Sequence, residues 1–194
     1  MTMDNQCFDN DFAAQLRAAY EARDLELRSR FQRSLPLQDA MFDRWERGRS
    51  LGFGEGTSIY NSAIVMGEVS VGRETWIGPY VLLDGSGGQV RVGSTCSLAV
   101  GVHIYTHDTI GWALSGGRLA PRRAPVSIGD CTYVGPQSIV AAGVRVGSRC
   151  LIAANSLVHR NVPDSTIVGG NPARRLGVVE MRDGEPVLLF DSGG

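Results

Sequence analysis

"IGDCTYVGPQSIVAAGVRVGSRCLIAANSLVH", residues 128–159, places a β-branched aliphatic residue at every sixth position: Ile128, Val134, Val140, Val146, Ile152 and Val158. A period of six is a multiple of the two-residue repeat of a strand but not of the helical repeat of about 3.6. The stretch therefore predicts short strands with a corner every six residues, each sending one aliphatic side chain inward. The same beat runs upstream through Ile59, Val65, Val71, Ile77 and Leu83. After a three-residue insertion at "GSGG" it resumes in Val92, Leu98 and Ile104.

Two further columns keep the phase. Two residues before each aliphatic position stands a small or β-branched residue, among them Thr57, Thr75, Cys96, Thr132, Ser138, Cys150 and Ser156. One residue after it stands Gly or Ala, as at Gly72, Gly93, Gly129, Gly135 and Gly147, where a missing or minimal side chain is expected to ease the corner. Asp84 departs from this last column. A sandwich with frequent turns does not keep one phase over so many repeats, whereas stacked coils do, because each coil buries its ladder on the next. The expected fold is an all-β solenoid.

The flanks read differently. Residues 10–34 carry Phe12, Leu16, Ala19 and Tyr20 at helical spacing, and Pro36 followed by Leu37, Met41 and Trp45 suggests a second helix ending before Gly48. Residues 1–55 are expected to form an N-terminal helical cap, residues 56–176 the solenoid, and residues 177–194 a hairpin and tail, with Asp183-Gly184 as the turn. Charge is balanced, with 19 basic and 20 acidic side chains, which argues against a nucleic acid or an anionic membrane as the main partner. The polar, acidic start does not read as a signal peptide and no apolar run is long enough to span a bilayer, so the expected location is cytoplasmic. The four cysteines form no Cys-x-x-Cys pair, so neither a disulfide framework nor a zinc site is expected.

The phase, the small column and the closing "GGNPAR" (169–174) resemble the hexapeptide-repeat acyltransferases over roughly residues 56–177. The resemblance implies a left-handed parallel β-helix, assembly as a homotrimer, and acetyl-CoA as co-substrate without a metal. The stretches "RWERGRSLGFGEG", "LDGSGG" and "YTHDTIGWALSGG" are similar to members found with surface-polysaccharide synthesis, which implies a sugar or sugar-nucleotide acceptor and favours O- over N-acetylation.

Acetyl transfer from a thioester needs a base for the proton of the attacking hydroxyl or amine, and a donor for the developing oxyanion. Imidazole, ordinarily near pKa ~6.5, can fill the first role in the cytosol. The beat breaks just before His107, where residues 108–124 leave the wall as a long external loop of the kind that often carries function. The family's base follows a repeat similar to "GVHIYT", which points to His107, with His103 as the alternative. Asp84 and Trp112 are candidates for holding the acceptor, alongside His103. For coenzyme A, the resemblance implies Arg174 near the nucleotide end, with Ala154, His159, Arg160 and Arg175 in the donor groove. Pro136 has no N–H to offer an oxyanion, and "GSGG" lacks the Lys-Ser/Thr of a phosphate loop, so it reads as a flexible insertion. Cys96 and Cys150 read as core. Two other functions are compatible with such a repeat: a zinc enzyme like the carbonic anhydrases built on it, whose three-histidine site the spacing of His103, His107 and His159 fits poorly, and a non-catalytic assembly protein.

Overall fold

The computed structural model describes residues 10–191, which fall into two compact units, the first ending at Asp43 and the second beginning at Arg44.

In the first unit, helix α1 (Asn10–Phe31) is followed by the short helix α2 (Leu37–Met41). The expected apolar stripe is not the buried one: Phe12 and Leu16 are exposed, and Asp24, Leu27 and Ala40 are buried instead. Tyr20 donates its hydroxyl to the Leu35 carbonyl (2.8 Å) and Arg23 Nε donates to the Ala40 carbonyl (3.1 Å), tying the two helices together. Pro36 caps α2 rather than lying in its first turn. Phe42 then takes an extended conformation (φ −114°, ψ 137°), so the single helix expected after Pro36 is split in two.

The second unit opens with helix α3 (Arg44–Ser50), which packs on the Ser58–Ile59 strand. Gly48 lies inside α3 rather than behind it, because a Cβ there would stand 2.4 Å from the Thr57 carbonyl oxygen. Arg47 anchors the helix by donating to the carbonyls of Tyr60 and Ala63.

From Ser58 onward, strands pair in parallel in three columns. In the first, Ser58 pairs with Trp76, Trp76 with Ser97, Ser97 with Tyr133, Tyr133 with Leu151 and Leu151 with Ile167. In the second, Ile64 pairs with Leu82, Leu82 with His103, His103 with Ile139 and Ile139 with Leu157. In the third, Ser70 pairs with Arg91, Arg91 with Ser127 and Ser127 with Arg145. Where no insertion intervenes the chain returns to its column after 18 residues, as from Tyr133 to Leu151 and from Ser127 to Arg145, which is three steps of the six-residue beat.

The aliphatic column forms the core. Ile59, Ile77, Leu83, Leu98, Ile104, Ile128, Val134, Val140, Val146, Ile152 and Val158 are all buried, and only Val65 is partly open. Full burial of each such side chain stabilises by about 1.5–3 kcal/mol. Hydroxyls of the small column join successive coils: Thr75 Oγ1 donates to the Gly93 carbonyl (2.9 Å) and accepts from the Cys96 N–H (3.1 Å), and Thr132 repeats this with Gly147 and Cys150.

The glycine column has a different cause from the one expected. The left-handed backbone at the corners falls two residues later, on Glu74, Tyr80, Thr95, Cys131, Gln137, Arg149 and Asn155, with φ of 53° to 58°, and on glycine only at Gly101 and Gly143 among these corners. Gly72, Gly93, Gly129 and Gly135 are small because the next coil lies on them: a Cβ on Gly129 would meet the Gly147 carbonyl carbon at 2.7 Å. The last parallel strand, Thr166–Gly169, pairs antiparallel with Arg174–Arg182, which pairs in turn with Glu185–Phe190 through the expected Asp183-Gly184 turn. No helix of the described residues is long and apolar enough to cross a membrane.

Candidate active site

The "GSGG" insertion is not a flexible excursion. It is absorbed into one long strand, Leu82–Val92, whose first half pairs with His103–Tyr105 in the second column and whose second half pairs with Val126–Ile128 in the third. Gly87 makes this passage possible: a Cβ there would lie 2.5 Å from both His107 Cβ and the Thr106 carbonyl oxygen. Thr106, fully buried, locks the crossing by donating its hydroxyl to the Asp84 carbonyl (2.6 Å) and accepting from the Gly87 N–H (3.0 Å).

His107 stands on this crossing. His107–Asp108 pairs antiparallel with Arg122–Arg123, so the two ends of the external loop are clamped, and the loop itself carries helix α4 (Ile110–Leu114). Its Nδ1 lies 3.0 Å from Oδ2 of Asp84, whose side chain is 1% exposed, while the imidazole is 35% exposed. Asp84 Oδ1 accepts from both the N–H (3.0 Å) and the hydroxyl (2.5 Å) of Ser86. An ionised carboxylate can only accept, so in the neutral ring Nδ1 carries the proton and Nε2, across the ring, holds the lone pair. An imidazole oriented in this way can take a proton from a bound hydroxyl or amine.

Asp84 thus occupies a different place from the one expected of an acceptor-binding residue. Both its oxygens are engaged by His107 and Ser86 beneath the surface, and none is open to a ligand. Ser86 and Thr106 were not singled out by the sequence; the one available signal was the Asp standing where the repeat has Gly or Ala. His103, the alternative base, faces outward in the second column with Nδ1 3.3 Å from the Tyr105 hydroxyl and its ring edge-on to Tyr105. Trp112 lies on α4 and is half exposed.

The donor candidates gather at the C-terminal end. His159, Arg160, Arg174 and Arg175 line one cavity of about 480 Å³ together with Thr166 and Pro163, whereas Ala154 is exposed outside it. Arg175 lies 3.5 Å from Asp191, and the exposed Arg174 donates to the Ala173 carbonyl (3.2 Å). Three guanidiniums around a cleft suit a ligand that carries phosphates. Burial pushes the Cys96 and Cys150 thiols up from their ordinary value, as befits core side chains. Among the described residues no group of three His, Cys, Asp or Glu side chains could hold a metal ion.

Comparison with known proteins adds to this geometry. The family described as "Bacterial transferase hexapeptide (six repeats)" matches residues 125–160. The chain is 28% identical over 148 residues to "Serine acetyltransferase 4" of Arabidopsis thaliana, covering 76% of this chain and 39% of that protein. It is 37% identical over 68 residues to a "2,3,4,5-tetrahydropyridine-2,6-dicarboxylate N-acetyltransferase" of Staphylococcus aureus (strain bovine RF122 / ET3-1), 35% of this chain and 28% of that one. The chain therefore spans roughly a third of the length of these two relatives. Its fold is similar to that of AntD, an N-acyltransferase from Bacillus cereus solved with dTDP and 3-hydroxybutyryl-CoA, with a TM-score of 0.58 and 23% identity over 65% of this chain and 71% of that one.

Proposed function

We propose that this chain, whose residues 125–160 match the bacterial transferase hexapeptide family, is an acetyl-CoA-dependent acetyltransferase. The acceptor is a hydroxyl, in preference to an amine, of a sugar or sugar nucleotide destined for a surface polysaccharide. The three columns are the faces of a left-handed parallel β-helix, and the active unit is a cytoplasmic homotrimer. One observation carries the catalytic part of this reading: a partly exposed imidazole whose Nδ1 lies 3.0 Å from a buried carboxylate, beside a clamped loop.

In this mechanism His107 Nε2 accepts the proton of the attacking group, and Asp84 holds the ring in place and stabilises the imidazolium that forms. Ser86 fixes the Asp84 carboxylate in turn, so Asp84 is a positioning residue. Acetyl-CoA, when bound, supplies the thioester carbonyl. Arg160, Arg174 and Arg175 are the residues that would hold its phosphates in the C-terminal cleft, with His159 beside them. The presence of acyl-CoA and dTDP in the AntD structure supports both the donor class and the acceptor class. Trp112 and His103 line the approach of the acceptor.

Thiol release from acetyl-CoA, measured against a panel of free sugars, amino sugars and sugar nucleotides, tests the proposal. Release stimulated by at least one sugar-bearing acceptor, with the acetyl group recovered on that acceptor by mass spectrometry, is expected. Hydrolysis that no acceptor stimulates, or an acetylated acceptor without a sugar, would overturn it.

A further inference from the structure

The third column has an outward face unlike the other two. Ser70, Arg91, Ser127 and Arg145 follow one another in register, while their neighbours Val90, Val92, Val126, Ile128, Val144 and Val146 are buried, so strand alternation turns the four polar side chains outward. With adjacent strands about 4.8 Å apart, Arg91 and Arg145 stand about 9.6 Å from each other across the short Ser127 hydroxyl. The result is a cavity of about 390 Å³, walled by Gln89, Arg91, Pro125, Ser127, Gly143 and Arg145 and lined by no carboxylate.

One of these arginines is held by a neighbour on its own strand. Gln89 Oε1 accepts from Arg91 Nη2 (2.6 Å), which sets the direction of that guanidinium. Arg122 brings a third one to the rim: it donates to the Ala142 carbonyl (3.1 Å) and lies 3.2 Å from where a Gly143 Cβ would be. Asp108 lies 3.7 Å from Arg122. Glu68 lies on the preceding strand outside the lining. Charge-assisted, forked donors at this spacing match two linked phosphates rather than one carboxylate.

The cavity is also joined to the candidate active site by a single strand. Gly87 lies against His107, and Arg91 is four residues further along Leu82–Val92, about 13 Å away. A sugar linked to a diphosphate covers that distance. Resting on the acetyltransferase reading above, we infer that this cavity binds a diphosphate, and that the acceptor is a sugar carried on one, its sugar end reaching His107. The site shares no lining residue with the C-terminal cleft assigned to the donor, but adjoins it where Asn161 Oδ1, in that cleft, accepts from the Arg145 N–H (2.8 Å).

Titration calorimetry on the full chain with UDP and with inorganic pyrophosphate tests this. Saturable binding of both is expected, and UDP binding tighter than pyrophosphate binding would mean that the nucleoside is read as well. The double substitution Arg91→Gln/Arg145→Gln should weaken UDP binding by about 100-fold, about tenfold for each charge-assisted contact. His107→Ala and Arg174→Gln should leave it within about twofold. With a UDP-linked sugar as acceptor, the double variant should raise KM by a similar factor with little change in kcat. No binding of either probe to the unsubstituted chain, or equal binding by the double variant, would overturn the inference. Failure of the acetyltransferase reading would look different: diphosphate binding sensitive to Arg91 and Arg145, with no acetyl transfer to any sugar.

Discussion

Asp84→Asn tests the coupling between the buried carboxylate and the imidazole. The substitution is nearly isosteric at a side chain that is 1% exposed. Ser86 gives Oδ1 two hydrogen bonds, from its N–H and its hydroxyl, so the amide oxygen must stay on that side and the amide NH2 must face His107. Nδ1 is then forced to accept, and the single ring proton moves to Nε2, the atom that has to take the acceptor's proton. The base is present but in the wrong tautomer. General-base contributions are about 10²–10⁴-fold, so kcat should fall by about that factor while KM for acetyl-CoA stays within about twofold. The fold should survive, with a loss of about 1.5–3 kcal/mol for the charged hydrogen bond. Steady-state thiol release gives the rates, chemical denaturation the stability, and ¹⁵N NMR of the imidazole the tautomer. A variant that keeps kcat within about twofold, or whose spectrum still shows the Nδ1–H tautomer, would refute the reasoning.

Arg174→Gln should raise KM for acetyl-CoA by about tenfold with kcat nearly unchanged, read from the same thiol-release assay. Gly87→Ala puts a Cβ where His107 Cβ and the Thr106 carbonyl already are, so it should cost about 1–3 kcal/mol in denaturant unfolding and displace the imidazole enough to lower kcat at least tenfold. Mass spectrometry after brief alkylation of the native chain should find Cys131, which is exposed, modified well before Cys96 and Cys150. Because burial raises those two thiols above their ordinary value of 9.0, the unfolded chain releases their protons at lower pH than the folded one, and their contribution to stability should decline as pH rises past that value, as measured by unfolding at pH 8 and pH 10.

The ladder was legible because each coil repeats the same demand: Ile128 through Val158 must be large and apolar, and Thr132 and Ser138 small enough to lie beside them. The hairpin was equally plain, since Asp183-Gly184 supplies the two left-handed residues its turn requires. The corner residues were hidden because Tyr80, Cys131 and Gln137 take the left-handed backbone without being glycine, while the glycines nearby serve close stacking between coils. His107 could be singled out from the break in the beat, but its partner could not be placed. Asp84 lies 23 residues away in sequence, and only the register of Leu82–Val92 against His103–Tyr105 brings the two side chains together. "GSGG" has the composition of a flexible segment. Gly85 and Gly87 are there because Glu68 and Thr106 crowd the backbone on either side.

The most direct test of the account is a single turnover of acetyl transfer by His107→Ala, with acetyl-CoA binding measured on the same preparation. The account predicts that binding is retained within about twofold while the transfer step slows by about 10²–10⁴-fold. Transfer at the unsubstituted rate by a variant that still binds acetyl-CoA would contradict it.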